Sequence, residues 1–311
     1  MEQEVRSNLH IPVLLNESIE LLNVRKDGIY IDCTGGRGGH SELILKKLEG
    51  TGTLFCLDID KEAIEFLEKK FKGVKNIKII KGNFKDIKDI LAKFKITGVD
   101  GIFADLGVSS PMLDNYDRGF SYHADSFLDM RMDREQKKNA YEVINSYSLN
   151  QLVNIFKKYG DIKNPFFVVK EILKKREEKE INTTAELVKI IKDSVSWKER
   201  KKEKHPAKTY FQALRIEVND EIKNLEKLLT QIPNILLKNG TLVILTFHSL
   251  EERMVKSFVG EWVVDKTPKE LPLMKKPDFS LINRKAILGK KEEEENKRSS
   301  SAKLWGVVKN V

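Results

Sequence analysis

The stretch Asp32-Cys33-Thr34-Gly35-Gly36-Arg37-Gly38-Gly39-His40 combines an acid, a hydroxyl and four glycines. It sits between an apolar run, Gly28-Ile29-Tyr30-Ile31, and a helical pattern, Glu42-Leu43-Ile44-Leu45-Lys46-Lys47-Leu48. A second apolar run follows and ends in Leu57-Asp58-Ile59-Asp60. Glycines let a backbone approach a ligand closely, and an acid closing the next strand accepts hydrogen bonds from ribose hydroxyls. The pattern is that of a nucleoside-containing cofactor site.

The loop has no Gly-Lys-Ser/Thr, which excludes a phosphate-cradling P-loop. Gly36-x-Gly38-x-x-Ser41 comes close to the dinucleotide fingerprint, with Asp58 placed 20 residues after Gly38, so an NAD-dependent oxidoreductase is one reading. Asp32, at the end of the first strand, favours instead a cofactor with a cationic end, such as the amino and sulfonium groups of S-adenosylmethionine. A tight strand-to-helix turn with no ligand is the third reading.

Two further polar loops belong to the same rim, because ligand chemistry in doubly wound sheets sits beyond the carboxyl ends of the strands. One is Ala104-Asp105-Leu106-Gly107-Val108-Ser109-Ser110-Pro111 after the fourth strand. The other is Thr246-Phe247-His248-Ser249-Leu250-Glu251-Glu252-Arg253 after the fifth. Ordinary capped turns are the competing account of both, with Ser249 as the N-cap and Glu252 completing the signal.

The elements that must position these loops alternate through the first third of the chain. Strands are predicted at 28–33, 53–58, 77–81 and 99–106, and helices at 39–48, 61–71 and 84–94. Alternation of this kind gives an α/β fold with a parallel sheet covered on both faces. From about 115 to 205 the chain reads as helical, with Ser148-x-x-Gln151 and Thr183-x-x-Glu186 as capping boxes. One long helix over about 207–229 and a buried-type strand at 241–247 resume the α/β pattern. Strand-like pieces at 283–288 and 302–308 flank the charge block 290–295, which reads as a solvated hairpin loop. The expected organisation is a sheet domain over 1–112, an inserted helical subdomain over 113–206, and the rest of the sheet domain over 207–311.

Composition limits the partners. The chain has 311 residues, 56 Lys plus Arg against 47 Asp plus Glu, and a net charge of +9, which suits a polyanion. No run approaches the ~20 apolar residues of a membrane span, and the acidic start, Met1-Glu2-Gln3-Glu4, is unlike a signal peptide. A soluble cytoplasmic protein with no membrane partner is expected. Cys33 and Cys56 have no metal-type spacing and read as buried reduced thiols, and the histidines never fall at zinc spacings, so no metal is expected.

Over nearly the whole chain the residues carry a family resemblance. His10-Ile11-Pro12-Val13-Leu14-Leu15-Asn16-Glu17, the loop 34–40, the turn 105–111, Arg118-Gly119-Phe120-Ser121, Leu128-Asp129-Met130-Arg131-Met132-Asp133, Phe211-Gln212-Ala213-Leu214-Arg215-Ile216-x-Val218-Asn219 and Phe247-His248-Ser249-Leu250-Glu251 together resemble the MraW family, also called RsmH. The resemblance implies a bacterial 16S rRNA methyltransferase that uses S-adenosylmethionine on the N4 of cytosine 1402. The resemblance implies a Rossmann-like methyltransferase sheet with a helical insertion, and a partner in the small ribosomal subunit with no role for DNA. It implies Gly38, Gly39, His40, Asp58, Phe84 and Asp105 as cofactor-binding positions. The chain departs from the family pattern at Met112, where glutamine is usual, at Ser126-Phe127, where Gly-Pro is usual, and at Trp305, where arginine is usual. A non-catalytic RNA-binding protein that has kept the fold is the alternative.

On that reading Asp105 and the turn after it accept hydrogen bonds from the amino group, Ser109 and Ser110 orient the ring, and His248 is a second candidate proton acceptor. Arg118 and Arg131 are candidate phosphate clamps, with ion pairing to Asp114, Asp117, Asp129 or Asp133 as the competing role. The basic stretch 198–205, with Arg200, Lys201 and Lys202, is a candidate RNA track. Oligomeric state is open between monomer and homodimer.

Overall fold

A computed structural model describes residues 12–197, 205–264, 277–289 and 297–311. The chain divides into two compact units, one formed by Met1–Gly107 with Ile222–Val311 and the other by Val108–Glu221.

The first unit opens with α1 (Leu15–Leu22) and then alternates: β1 (Ile29–Asp32), α2 (Gly39–Leu48), β2 (Thr53–Asp58), α3 (Lys61–Lys70), β3 (Ile77–Lys81), a 3-10 turn at Phe84–Asp86, α4 (Ile87–Lys93) and β4 (Val99–Asp105). The strands and the helices at 39–48 and 61–70 end within two residues of the sequence reading, the helix read at 84–94 opens as the 3-10 turn, and α1 has no counterpart in that reading. The second unit carries α5 (Ser110–Asp114), α6 (Ala140–Ser146), α7 (Leu149–Gly160), α8 (Phe166–Glu178), α9 (Thr184–Ser194) and α10 (Ala207–Asn219). The chain then returns through α11 (Glu221–Ile235), β5 (Leu236–Thr246), α12 (Ser249–Trp262), β6 (Phe279–Leu281), β7 (Ile287–Leu288) and β8 (Lys303–Lys309).

The strands join in the order β3-β2-β1-β4-β5-β8-β6, with β7 paired to β8. β1 to β5 run parallel, whereas β8 is antiparallel to β5, β6 and β7. The chain reverses direction across the sheet between β1 and β4, which is where open α/β sheets bind ligands. Period-two alternation distributes each strand between two cores. Ile31, Phe55, Leu57, Ile102 and Ile244 face one apolar cluster with residues of α4, α11 and α12. Tyr30, Leu54, Cys56, Phe103 and Val243 face the other, with residues of α1, α2 and α3. Cys33 and Cys56 are both buried and unbridged.

The second unit is helical. Both predicted capping boxes form: Ser148 with Gln151 opens α7, and Thr183 with Glu186 opens α9. The unit takes in Ala207–Asn219, which the sequence reading joined to the following helix and gave to the sheet domain. The helix predicted over 207–229 is in fact two, because Asp220 adopts a left-handed conformation (φ 50°) and ends α10. Tyr210 on α10 packs edge-on against Phe156 on α7, at 4.9 Å between ring centroids. No helix among the described residues is long and apolar enough to cross a membrane.

Candidate active site

The glycine turn is built by packing as well as by hydrogen bonds. A Cβ on Gly35 would lie 2.6 Å from the Cys56 sulfur, and one on Gly38 2.8 Å from the Phe71 ring. Gly38 also has φ 70°, a region that disfavours side chains. These contacts press the turn against β2 and α3, and Gly38 becomes the N-cap from which Gly39 starts α2. The first amides of a helix lack intrahelical acceptors, so Gly39 and His40 present backbone donors at a partially positive helix end.

The His40 side chain has a different role. Its ring is buried, 4.3 Å from the Phe103 ring, with Nε2 3.2 Å from the Val13 carbonyl oxygen. Any cofactor contact from this position is therefore through the main chain.

Three acids stand at the ends of neighbouring strands. Asp32 is fully buried at the end of β1, and accepts from the Ser41 hydroxyl at 2.6 Å and from the Thr34 amide at 3.1 Å. Burial pushes its carboxyl up to about 6, against those two hydrogen bonds. With both oxygens engaged and no exposed surface, Asp32 can meet a cationic ligand only through its field. Asp58 ends β2, where Oδ2 accepts from the Gly36 amide and Oδ1 from the Asp60 amide, both at 2.8 Å. Its carboxyl is also pushed up to about 6 by burial. A carboxylate has about four acceptor positions, so two remain for a ribose diol.

Asp105 ends β4. Its amide donates to the Thr34 hydroxyl at 2.7 Å, which ties the end of β4 to the glycine turn. Its Oδ1 is buried and accepts no hydrogen bond among the described residues. Burial, followed by the charges of Asp32 and Glu251, pushes its carboxyl up to about 8. A buried acceptor left open beside like charges favours a ligand that brings both a positive charge and donors. The donor set therefore fits a cofactor with a nucleoside and a cationic end. Phe84, half-buried at the start of the 3-10 turn after β3, packs along the edge of the core where an aromatic ring can cover an adenine face.

The loop after β5 corrects the sequence reading. His248, not Ser249, is the N-cap of α12, and Glu251, not Glu252, completes the box. Glu251 is buried, and its Oε2 accepts from the Phe247 amide at 2.8 Å and the His248 amide at 3.2 Å. His248 Nδ1 accepts from the Glu251 amide at 3.4 Å, and Nε2 lies 3.1 Å from Glu251 Oε1. Nδ1 is thus engaged with the cap amide and Nε2 faces the Glu251 carboxylate, so both ring nitrogens are turned to the helix start. Glu252 instead pairs with Lys256 and Lys303. Sequence reasoning missed Glu251 as a site residue, although the three-residue offset from His248 carried the signal.

Ser109 and Ser110 fall in the helical unit, where Ser109 precedes α5 and makes no side-chain cap, and Met112 is buried in α5. Arg118 is the largest fully buried side chain among the described residues, and donates to the Arg131 and Met132 carbonyls at 3.0 Å each. Arg131 forms a two-point ion pair with Asp129, at 2.6 and 3.2 Å, and donates to the Arg134 and Gln136 carbonyls. Both arginines brace the loop around residues 128–136, Arg131 through its ion pair with Asp129 and Arg118 through backbone carbonyls. Asn219 Nδ2 donates to the Met130 carbonyl and its Oδ1 accepts from the Met132 amide, each at 2.7 Å. Arg200, Lys201 and Lys202, and the His10 end of the first motif, lie outside the described residues.

The sequence profile of the MraW methylase family matches residues 7–310. The ribosomal RNA small subunit methyltransferase H of Ureaplasma parvum is 50% identical over 304 residues, covering 97% of this chain and 99% of that protein. The proteins of the same name from Malacoplasma penetrans and Streptococcus mutans are 49% identical over 301 residues and 46% identical over 307. Those alignments cover 96% of this chain in both cases, and 96% and 97% of the relatives.

Proposed function

The chain belongs to the MraW methylase family, with S-adenosylmethionine as its methyl donor, and we propose that it methylates the exocyclic N4 of cytosine 1402 in the 16S RNA of the small ribosomal subunit. Family membership decides between the two cofactors that the glycine turn alone leaves open. Asp105, with its open buried oxygen among like charges, is the single observation that carries the proposal.

Bound at this site, the donor supplies an electrophilic methyl group on a sulfonium. The backbone amides of Gly39 and His40, the Asp58 carboxylate and the Phe84 ring would hold its nucleoside and orient it. Asp32 and Asp105 offset the positive charge. A cation in the site favours ionised Asp105, so the carboxylate that free protein holds largely protonated near pH 7 becomes an acceptor when the site fills.

The N4 lone pair of cytosine is delocalised into the ring and is a poor nucleophile. The base must leave its stack and be held with N4 in line with the methyl group. Asp105 Oδ1 accepts a hydrogen bond from the amino group and stabilises the positive charge that develops there. The donor would supply the methyl to N4 and keep the electron pair of the broken S–C bond, while Asp105 holds the amino group for that transfer. The proton shed by the methylated amine passes to Asp105 or to water. Ser109 and Ser110 orient the base on this reading, and His248 holds the loop after β5.

Two measurements test the proposal. Calorimetry should detect S-adenosylhomocysteine binding and no NAD binding. Transfer of labelled methyl from the donor should appear in small-subunit RNA, and no transfer with intact cofactor binding would leave an RNA-binding protein on a methyltransferase fold.

A further inference from the structure

Arg118 and Arg131 are committed inside the helical unit, so the nucleotides flanking the target base must be met by other groups. We infer that the groove between the 122–125 loop and α9 is a subsite for one unstacked nucleotide of the RNA substrate, with the base against Tyr122 and His123 and its phosphate at Lys189 and Lys192. This rests on the ribosomal RNA reading above.

The groove encloses about 480 Å³ and lies wholly within the helical unit. That is within the usual range for small-ligand sites, roughly 300–1,000 Å³. One wall is a face of α9: Ala185, Val188, Lys189 and Lys192 recur at helical spacing along it. The other wall is aromatic. The Tyr122 ring lies 4.4 Å from that of His123 and stacks on His205 at 4.9 Å, with 19° between their planes. His123 and His205 meet at 5.8 Å, and Phe211 supports Tyr122 edge-on at 5.8 Å.

Hydrogen bonds fix the two walls to each other. The Thr184 hydroxyl donates to the Ala124 carbonyl at 2.6 Å and accepts from the Ser126 amide at 3.0 Å, while the Thr184 amide donates to the Ser126 carbonyl at 2.8 Å. The groove is therefore formed before a ligand arrives.

Its chemistry matches a nucleotide better than a peptide or a simple anion. Flat aromatic and imidazole surfaces stack on any base, which is how single-stranded RNA is held. Burial, with Lys192 and His123 nearby, lowers His205 from its ordinary value and so favours the uncharged ring. Lys189 and Lys192 are exposed on α9 and suit a phosphate, whereas Asp125 can accept from an exocyclic amino group. Asp125 and Asp193 offset the two lysines, so stacking contributes more than the net field. An apolar side chain would leave these four charges desolvated.

The full-length protein, a fluorescent single-stranded RNA spanning the target cytosine and small subunits lacking the modification provide the test. His123→Ala should weaken RNA binding about fivefold to more than a hundredfold, the range for loss of one stacked base, and His123→Tyr should restore it. Lys189→Ala and Lys192→Ala should each weaken binding and lower the salt slope by about 0.7, the change expected when one phosphate is no longer neutralised. S-adenosylhomocysteine affinity should not move in any of the four. Variants that bind RNA as the wild type does, while the wild type binds and methylates, would overturn the groove and leave the function standing. Normal affinity for free RNA with poor methylation of subunits would place a ribosomal protein in the groove and overturn the nucleotide subsite. A wild type that neither binds nor methylates RNA would refute the function and the subsite together.

Discussion

The Gly36 amide donates to Asp58 Oδ2 at 2.8 Å, so the acid that closes β2 also holds the glycine turn that follows β1. One residue thus offers acceptors to the ribose and fixes the loop that approaches it. Asp58→Ala removes charge-assisted hydrogen bonds worth about 1.5–3 kcal/mol each, and S-adenosylhomocysteine affinity should fall tenfold to more than a hundredfold. Titration calorimetry measures this directly, and unchanged affinity would remove Asp58 from the cofactor site.

The three strand-end acids make a pH prediction. The carboxyls of Asp32 and Asp58 are raised to about 6 and that of Asp105 to about 8, from about 3.8 in an unfolded chain. A raised acid binds more protons folded than unfolded, so its cost is absent below about pH 3.8 and grows as pH rises towards the folded value. Ligand-free protein should therefore lose stability through these groups between about pH 4 and 8. Asp105→Asn removes the largest part, so its melting temperature should gain on the wild type as pH rises through that window. A difference that stays constant with pH would contradict the Asp105 assignment.

Arg118→Ala should destabilise the helical unit by roughly 3 kcal/mol or more, because two carbonyls lose a charged donor and a large buried side chain leaves a void. Arg131→Ala should lower the melting temperature less, since its ion pair is partly exposed. In Arg131→Ala the salt slope of RNA binding should equal that of the wild type. A slope lowered by about 0.7 would restore the phosphate-clamp role.

His248 gives a test of cap against base. His248→Ala should cost about 0.5–2 kcal/mol of stability, and His248→Asn, another good N-cap, should recover most of it. If the ring only caps α12, His248→Asn should keep near wild-type turnover and the same pH–rate profile. Stability restored without turnover would return proton transfer to His248.

Local rules made much of this site legible. The turn residues, the alternation of apolar runs and the acid at Asp58 located β1, α2, β2 and their loop, because each depends on neighbours in sequence. Contacts distant in sequence were not legible. Nothing near Arg118 signals that its guanidinium reaches the carbonyls of Arg131 and Met132, and its position after the 105–111 turn suggested the surface. The break at Asp220 carries no glycine or proline, so 207–229 reads as one helix. At α12 the capping offset was visible, but serine is the commoner cap, and the box was read one residue late.

The most direct test is nucleoside-resolved mass spectrometry of 16S RNA from a strain in which this protein is deleted, before and after complementation. The account predicts that N4-methylation at cytosine 1402 disappears on deletion, returns with the wild type, and fails to return with Asp105→Ala. A modification that persists in the deletion strain, or a methyl group that this protein places on a ring carbon or a ribose oxygen, would contradict it.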